Sequence, residues 1–191
     1  MNKLKEVGCV KIPQLFDAAT MTVVAEYFKN KIAREELKID PIGKGHISNC
    51  KIYYYADPLI EVLLKKALPF IEEVVEEKIL PTYSYFRVYG AKEELIPHLD
   101  RPSCEISVSV NIVSKGKENK IYIESLKGIK GFELNSGDAV VYKGSELKHW
   151  RKPLKDGNHV AQFMLHYVKE KGNYASYIFD KRSKLGEKAC Q

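Results

Sequence analysis

The apolar and polar positions of this chain follow a mixed early pattern and then a long stretch of period two. Val7 to Phe16 alternates through Val7, Cys9 or Val10, and Ile12, which predicts a first strand ended by Pro13. Asp17 reads as the N-cap of a helix to about Lys38, with Val23, Val24, Tyr27, Phe28 and Ile32 on one face. Asp40-Pro41-Ile42-Gly43-Lys44-Gly45 is a loop by composition, and His46 to Tyr55 continues as loop or short strand. Asp57-Pro58 opens a second helix carrying Leu59, Val62, Leu63, Ala67, Phe70, Ile71, Val74 and Val75 at helical period. Pro69 inside that pattern predicts a kink or a break.

From Pro81 onward the period becomes two. Tyr83 to Tyr89 reads as a strand ended by Gly90. Glu105 to Val113 sets Ile106, Val108, Val110 and Ile112 against Ser107, Ser109 and Asn111. Segments 120–124, 131–134, 139–142 and 160–168 are further short strands, and Asn135-Ser136-Gly137-Asp138 is a turn. Many short strands with regular turn signals predict a mainly β (α+β) sandwich or double-sheet barrel, with the N-terminal helices packed on one sheet. No repeat, low-complexity segment or linker divides the chain. Its 191 residues suit one domain, helical to about 80 and β from about 81 to 180, with a Lys-rich tail after Asp180 expected to fray.

Composition excludes several classes. No apolar run is long enough to span a membrane, and the N-terminus lacks the apolar core of a secretory signal, which points to the cytoplasm. Cys9, Cys50, Cys104 and Cys190 show no CxxC spacing, so the expectation is four free thiols rather than a zinc ribbon. Cys104 is expected to be a small half-buried core residue. The net charge of +6 comes from scattered lysines that alternate with glutamates. Lys115, Lys117 and Lys120 read as a solvated turn, which argues against nucleic acid as a partner.

Candidate chemistry lies between Pro97 and Trp150. His98-Leu99-Asp100 precedes an alternating strand, and His149 opens a late one. Two imidazoles and one carboxylate on one face of a metal leave three coordination positions open, the arrangement of non-haem Fe(II) oxygenases. The alternative from the local pattern is that both histidines are ordinary surface residues.

The stretches FRVYGAKEELIPHLDRPSCEIS (86–107), GFELNSGDAVVYKGSELKHWRKPL (131–154) and QFMLHYV (162–168) resemble the core of the 2-oxoglutarate/Fe(II)-dependent dioxygenases, on the prolyl-hydroxylase-like side. The lead-in VGCVKIPQLFDAATMTVVAEYF (7–28) is similar too. The resemblance implies a double-stranded β-helix, or jelly roll. It implies His98, Asp100 and His149 as both metal ligands and catalytic centre, with Fe(II), 2-oxoglutarate and O₂ as cofactor and cosubstrates. The implied reaction is oxidative decarboxylation of 2-oxoglutarate coupled to hydroxylation of a C–H bond. The substrate is open, peptidyl or small-molecule. Tyr89 matches the family's cosubstrate-binding tyrosine, and Tyr85 shares its face.

One departure matters. The family's basic anchor for the distal carboxylate of 2-oxoglutarate follows the second histidine, yet Gly157-Asn158-His159-Val160-Ala161-Gln162 contains no Arg or Lys. Arg87 and Gln162 are the favoured replacements, with Arg151 a further candidate and His166 on the Gln162 face. Asn111 is polar on the Ser107-Ser109 face, either a ligand-facing inner wall or a solvent face. Arg101 is expected to pair with Glu105, and Trp150 to be a pocket wall or core residue. His46 lies in a loop either closing over substrate or inert, and Tyr53-Tyr54-Tyr55 is a possible peptide groove. Two other readings stand: a non-catalytic jelly-roll binding module, and a cupin-like metalloenzyme that does not use 2-oxoglutarate.

Overall fold

Eleven strands in the computed structural model, which describes residues 3–34, 36, 38–39, 47–116 and 119–187, form two facing antiparallel sheets. A short helix α1 (Lys3–Val7) leads into β1 (Cys9–Ile12), so the expected first strand is shortened at both ends. Gln14, at φ 49°, turns the chain after Pro13. Helix α2 (Ala18–Ala33) starts where Asp17 accepts from the Thr20 amide at 2.7 Å.

The buried stripe of α2 is Met21, Val24, Phe28 and Lys31. The expected face was rotated from this: Val23 is 60% and Ile32 40% exposed. Lys31 is accommodated because its ammonium meets Asp57 at 2.5 Å and lies 3.9 Å from the Tyr54 ring centre. The two-residue strand β2 (Lys38–Ile39) pairs with β3 (Ile52–Tyr55). Helix α3 (Pro58–Val75) is capped by Asp57 and runs on through Pro69 as one unbroken helix, where the sequence predicts a kink or a break. Ile60, Leu64, Ala67, Ile71 and Val75 are buried on both sides of Pro69, so tertiary packing outweighs the lost backbone bond.

The remaining strands are β4 (Ile79–Tyr89), β5 (Leu95–His98), β6 (Ile106–Lys115), β7 (Ile121–Ser125), β8 (Gly128–Phe132), β9 (Ala139–Tyr142), β10 (His149–Arg151) and β11 (His159–Lys169). The strand expected at 131–134 begins instead at Gly128. Gly128 faces Ser125 across a two-residue turn, at φ 99°, where a side chain would be strained. The large sheet has the order β1-β9-β6-β11-β4-β3-β2 and the small one β5-β10-β7-β8. This is the double-stranded β-helix, and α2 and α3 pack on the large sheet as expected.

Period two then sorts the side chains. Phe86, Val108, Val110, Phe163 and Leu165 meet the helices in the main core. Their neighbours Tyr85, Arg87, Ser109, Gln162, Met164 and His166 point into the space between the sheets. The Ser107-Ser109-Asn111 face is therefore an inner wall: the three residues are 0%, 1% and 4% exposed.

Candidate active site

His98 ends β5 and His149 opens β10. These strands are antiparallel neighbours in which His149 stands directly opposite His98. Their ring centres lie 4.2 Å apart. Asp100, just beyond β5, is held by its amide, which donates to the Gly144 carbonyl at 2.9 Å. Its Oδ1 lies 3.5 Å from His98 Nε2 and 3.4 Å from His149 Nε2. Each imidazole Nδ1 meets a backbone carbonyl, Ile96 for His98 at 2.8 Å and Leu147 for His149 at 3.0 Å. A carbonyl only accepts, so Nδ1 carries the proton in both rings. Both Nε2 lone pairs then face Asp100.

Three electron-pair donors converging this closely repel one another unless something positive lies between them. Ligands at roughly 2.1 Å from an octahedral ion stand about 3 Å apart when adjacent, so little movement would seat one. The donor set and its backbone supports thus fit a divalent iron. Tyr142 packs against His149 with ring centres 4.7 Å apart, and burial drives its phenol well above its ordinary value.

The three residues border a cavity of about 130 Å³ whose walls include Tyr85, Arg87, Tyr89, Ser109, Gln162 and His166. Four of the five expected cosubstrate residues therefore line it, and Asn111 does not. Asn111 lies opposite Gln162 in the register, with its amide nitrogen buried and unpartnered. Arg87 is the cavity's cation. Its Nη1 is 3.4 Å from the Tyr89 hydroxyl, its guanidinium packs over Tyr85, and no carboxylate pairs with it among the described residues. Arg151 is committed elsewhere, donating to Gln162 Oε1 at 2.7 Å and to the Asn119 carbonyl at 2.8 Å. It backs Gln162 rather than lining the cavity.

Other expectations resolve differently. Cys104 is fully buried, its sulfur 3.0 Å from the Tyr83 hydroxyl, and Cys9, Cys50 and Cys104 are free thiols. Arg101 pairs with Asp180 at 2.7 Å and not with Glu105, which accepts from the Lys169 amide. Asp180 belongs to a C-terminal strap that Arg182 pins to Glu61 at 2.5 Å, so the tail past Asp180 is anchored through at least Gly186. Trp150 points outward and stacks on Tyr122, because His149 and Arg151 take the inward positions on either side of it. His46, Lys117, Cys190 and the loop 40–45 lie outside the described residues. Tyr53 and Tyr55 stack on Tyr85 and Tyr83 beside the cavity, while Tyr54 faces Lys31.

Ser107, Tyr142 and Gly144 also belong to the site and were not anticipated. The only signal for the serine was its place on a polar strand face. Asp100, Ser107 and His166 are the residue types of a hydrolytic triad, but here the serine lies between the other two and donates to the carboxylate. An open recess of about 550 Å³ beside α2 is larger than the site cavity, but among the described residues Glu133 is the only charged one lining it. No helix is long and apolar enough to cross a membrane among the described residues.

No family model and no curated protein matches the chain. Solved structures do. A Pseudomonas putida prolyl-4-hydroxylase superposes with a TM-score of 0.69 at 14% identity, over 87% of this chain and 95% of the other. The non-haem α-ketoglutarate-dependent epimerase SnoN from nogalamycin biosynthesis gives 0.73 at 13%, over 87% and 78%. The Trichoplax adhaerens prolyl hydroxylase in complex with a hypoxia-inducible-factor peptide gives 0.69 at 13%, over 89% and 87%. The chain shares the fold of the 2-oxoglutarate/Fe(II) oxygenases.

Proposed function

We propose that residues 1–191 form one Fe(II)- and 2-oxoglutarate-dependent oxygenase domain, with a helical N-terminal part to about 80, that hydroxylates a C–H bond of a peptidyl or small-molecule substrate. The observation that carries this reading is the convergence of His98 Nε2, His149 Nε2 and Asp100 Oδ1, with both Nδ1 atoms tied to carbonyls, inside the oxygenase fold.

His98, Asp100 and His149 would hold iron, which with 2-oxoglutarate supplies the oxidising power to break an unactivated C–H bond. The chain's own contribution is placement. Arg87, with no carboxylate of its own among the described residues, is the cation for the distal carboxylate of 2-oxoglutarate, with Tyr89 and Gln162 as hydrogen-bonding partners. Arg151 holds the Gln162 carbonyl, which turns the Gln162 amide nitrogen towards Met164 and the cavity. Leu95, Ile121 and Met164 exclude water from the same cavity. Among the fold relatives, one is described with a peptide and another as an epimerase of nogalamycin biosynthesis, so the fold is compatible with either substrate class.

The test is an anaerobic titration of the Fe(II) protein with 2-oxoglutarate, following the visible metal-to-ligand charge-transfer band, with His98→Ala as control. A saturable band that disappears in the variant is expected. Bound iron without a band would replace this reading with the binding module or the cupin-like metalloenzyme.

A further inference from the structure

Behind Asp100 lie buried polar groups that the proposed reaction does not use. Asp100 shows Oδ1 to the two imidazoles. Its other oxygen, Oδ2, is 2.8 Å from Ser107 Oγ, and Ser107 Oγ is 3.0 Å from His166 Nδ1. Ser107 is fully buried and His166 is 5% exposed.

The hydrogens of this chain have one consistent assignment. The carboxylate has no proton to give, so the Ser107 hydroxyl donates to it. The serine oxygen then accepts from Nδ1–H of His166. The remaining ring nitrogen, Nε2, keeps its lone pair. It has no partner among the described residues, and the ring lines the cavity. The ring packs on Tyr83 at a tilt of 33°, with centres 4.6 Å apart, which limits its rotation.

Gly144 packs against the same bond. A Cβ at this position would lie 2.5 Å from Asp100 Oδ2 and 2.4 Å from Ser107 Oγ. The loop backbone is thus pressed against the carboxylate that Ser107 holds. Turning the carboxylate so that both oxygens face the imidazoles would break the serine bond to Oδ2 and leave the Ser107 hydroxyl only the longer contact to the Cys104 carbonyl, at 3.3 Å.

We propose that Ser107 and His166 are positioning residues that, with Gly144, restrict Asp100 to one metal-facing oxygen. The inference rests on the metal site proposed above. Its consequence is a coordination count. A bidentate Asp100 would occupy a third open position, whereas a monodentate one leaves three, two for a chelating cosubstrate and one for O₂.

The test uses Co(II) as probe with the chelator-stripped full chain, read by affinity and by the visible d–d spectrum, without turnover. Ser107→Ala and His166→Ala are expected to weaken Co(II) binding about 10- to 100-fold and to alter the spectrum. His166→Asn puts an amide N–H near the position of Nδ1, and is expected to restore much of the affinity. Wild-type affinity and spectrum in Ser107→Ala would overturn the inference while leaving the metal site standing. Failure of the wild type to bind Co(II) would overturn the metal site and the inference with it. If circular dichroism shows Ser107→Ala unfolded, the comparison of His166→Ala with His166→Asn decides, and equal affinities would count against the proposal.

Discussion

His149 stands directly opposite His98 on the neighbouring antiparallel strand, with the two rings 4.2 Å apart between their centres. Sheet register, not local sequence, brings the imidazoles to one carboxylate. A substitution at either strand end therefore acts on the site without touching the helix-covered core. His98→Ala and Asp100→Ala are each expected to abolish metal binding while far-ultraviolet circular dichroism stays native. Full metal affinity in either variant would refute the triad.

Arg87 and Arg151 separate into two roles. Arg87 lines the cavity with no carboxylate partner among the described residues, whereas Arg151 is bonded to Gln162 and Asn119. Arg87→Ala is expected to weaken 2-oxoglutarate at least about 30-fold, the scale for losing one side of a buried charge pair. Arg151→Ala should weaken it less and lower stability more, because it strands the Gln162 carbonyl. Isothermal titration with 2-oxoglutarate and thermal melts give the two orders, and the reverse affinity order would move the anchor to Arg151.

Gly144→Ala forces a methyl to within 2.5 Å of the Cys104 carbonyl oxygen as well as of the Asp100 carboxylate. Backbone must shift to admit it. The expected result is loss of metal binding together with a lowered melting temperature, and a variant that binds metal normally would show the loop to be more yielding than its packing implies.

His166 makes stability depend on pH. Burial lowers its pKa from the usual 6.5 to about 4 in the folded chain. Between those values the unfolded chain binds a proton that the folded chain does not, so stability falls as pH falls. The contribution is fully present above pH 6.5 and is lost progressively towards pH 4, amounting to about 3 kcal/mol. Urea unfolding of the metal-free protein across this range should show the slope, and His166→Asn should flatten it. An unchanged slope in that variant would assign the effect to other groups.

Arg182 and Glu61 form an ion pair whose side chains are 4% and 2% exposed, and it anchors the C-terminal strap against α3 and β4. Arg182→Ala leaves a buried carboxylate uncompensated, with an expected cost of about 3–5 kcal/mol and a melting temperature lower by about 10 °C. Adding Glu61→Ala should recover part of that loss, since neither charge of this pair then remains buried. A melting temperature unmoved by Arg182→Ala would show the strap to be dispensable.

Much of this architecture is legible in the chain itself, for local reasons. Period two from Pro81 onward separates Ile106, Val108 and Val110 from Ser107, Ser109 and Asn111, because alternate side chains of a strand must face opposite sides. Asp17 and Asp57 mark the helix starts because a carboxylate can satisfy the free amides of a first turn. His98-x-Asp100 is compact enough to be read directly as a candidate ligand pair. What periodicity does not carry is phase and partnership. Met21 rather than Val23 faces the core, since the sheet chooses which side of α2 it covers. Pro69 is carried within α3 by packing that no local rule foresees. Whether Ser107 and Asn111 face water or a cavity depends on a second sheet built from strands far along the chain. The pairing of His98 with His149, the serine–histidine support of Asp100, and the division of labour between Arg87 and Arg151 all join residues from separate strands or the connections between them. Such contacts exist only once both sheets have closed, when hydrogen-bond register and burial select one alignment among those the local patterns allow.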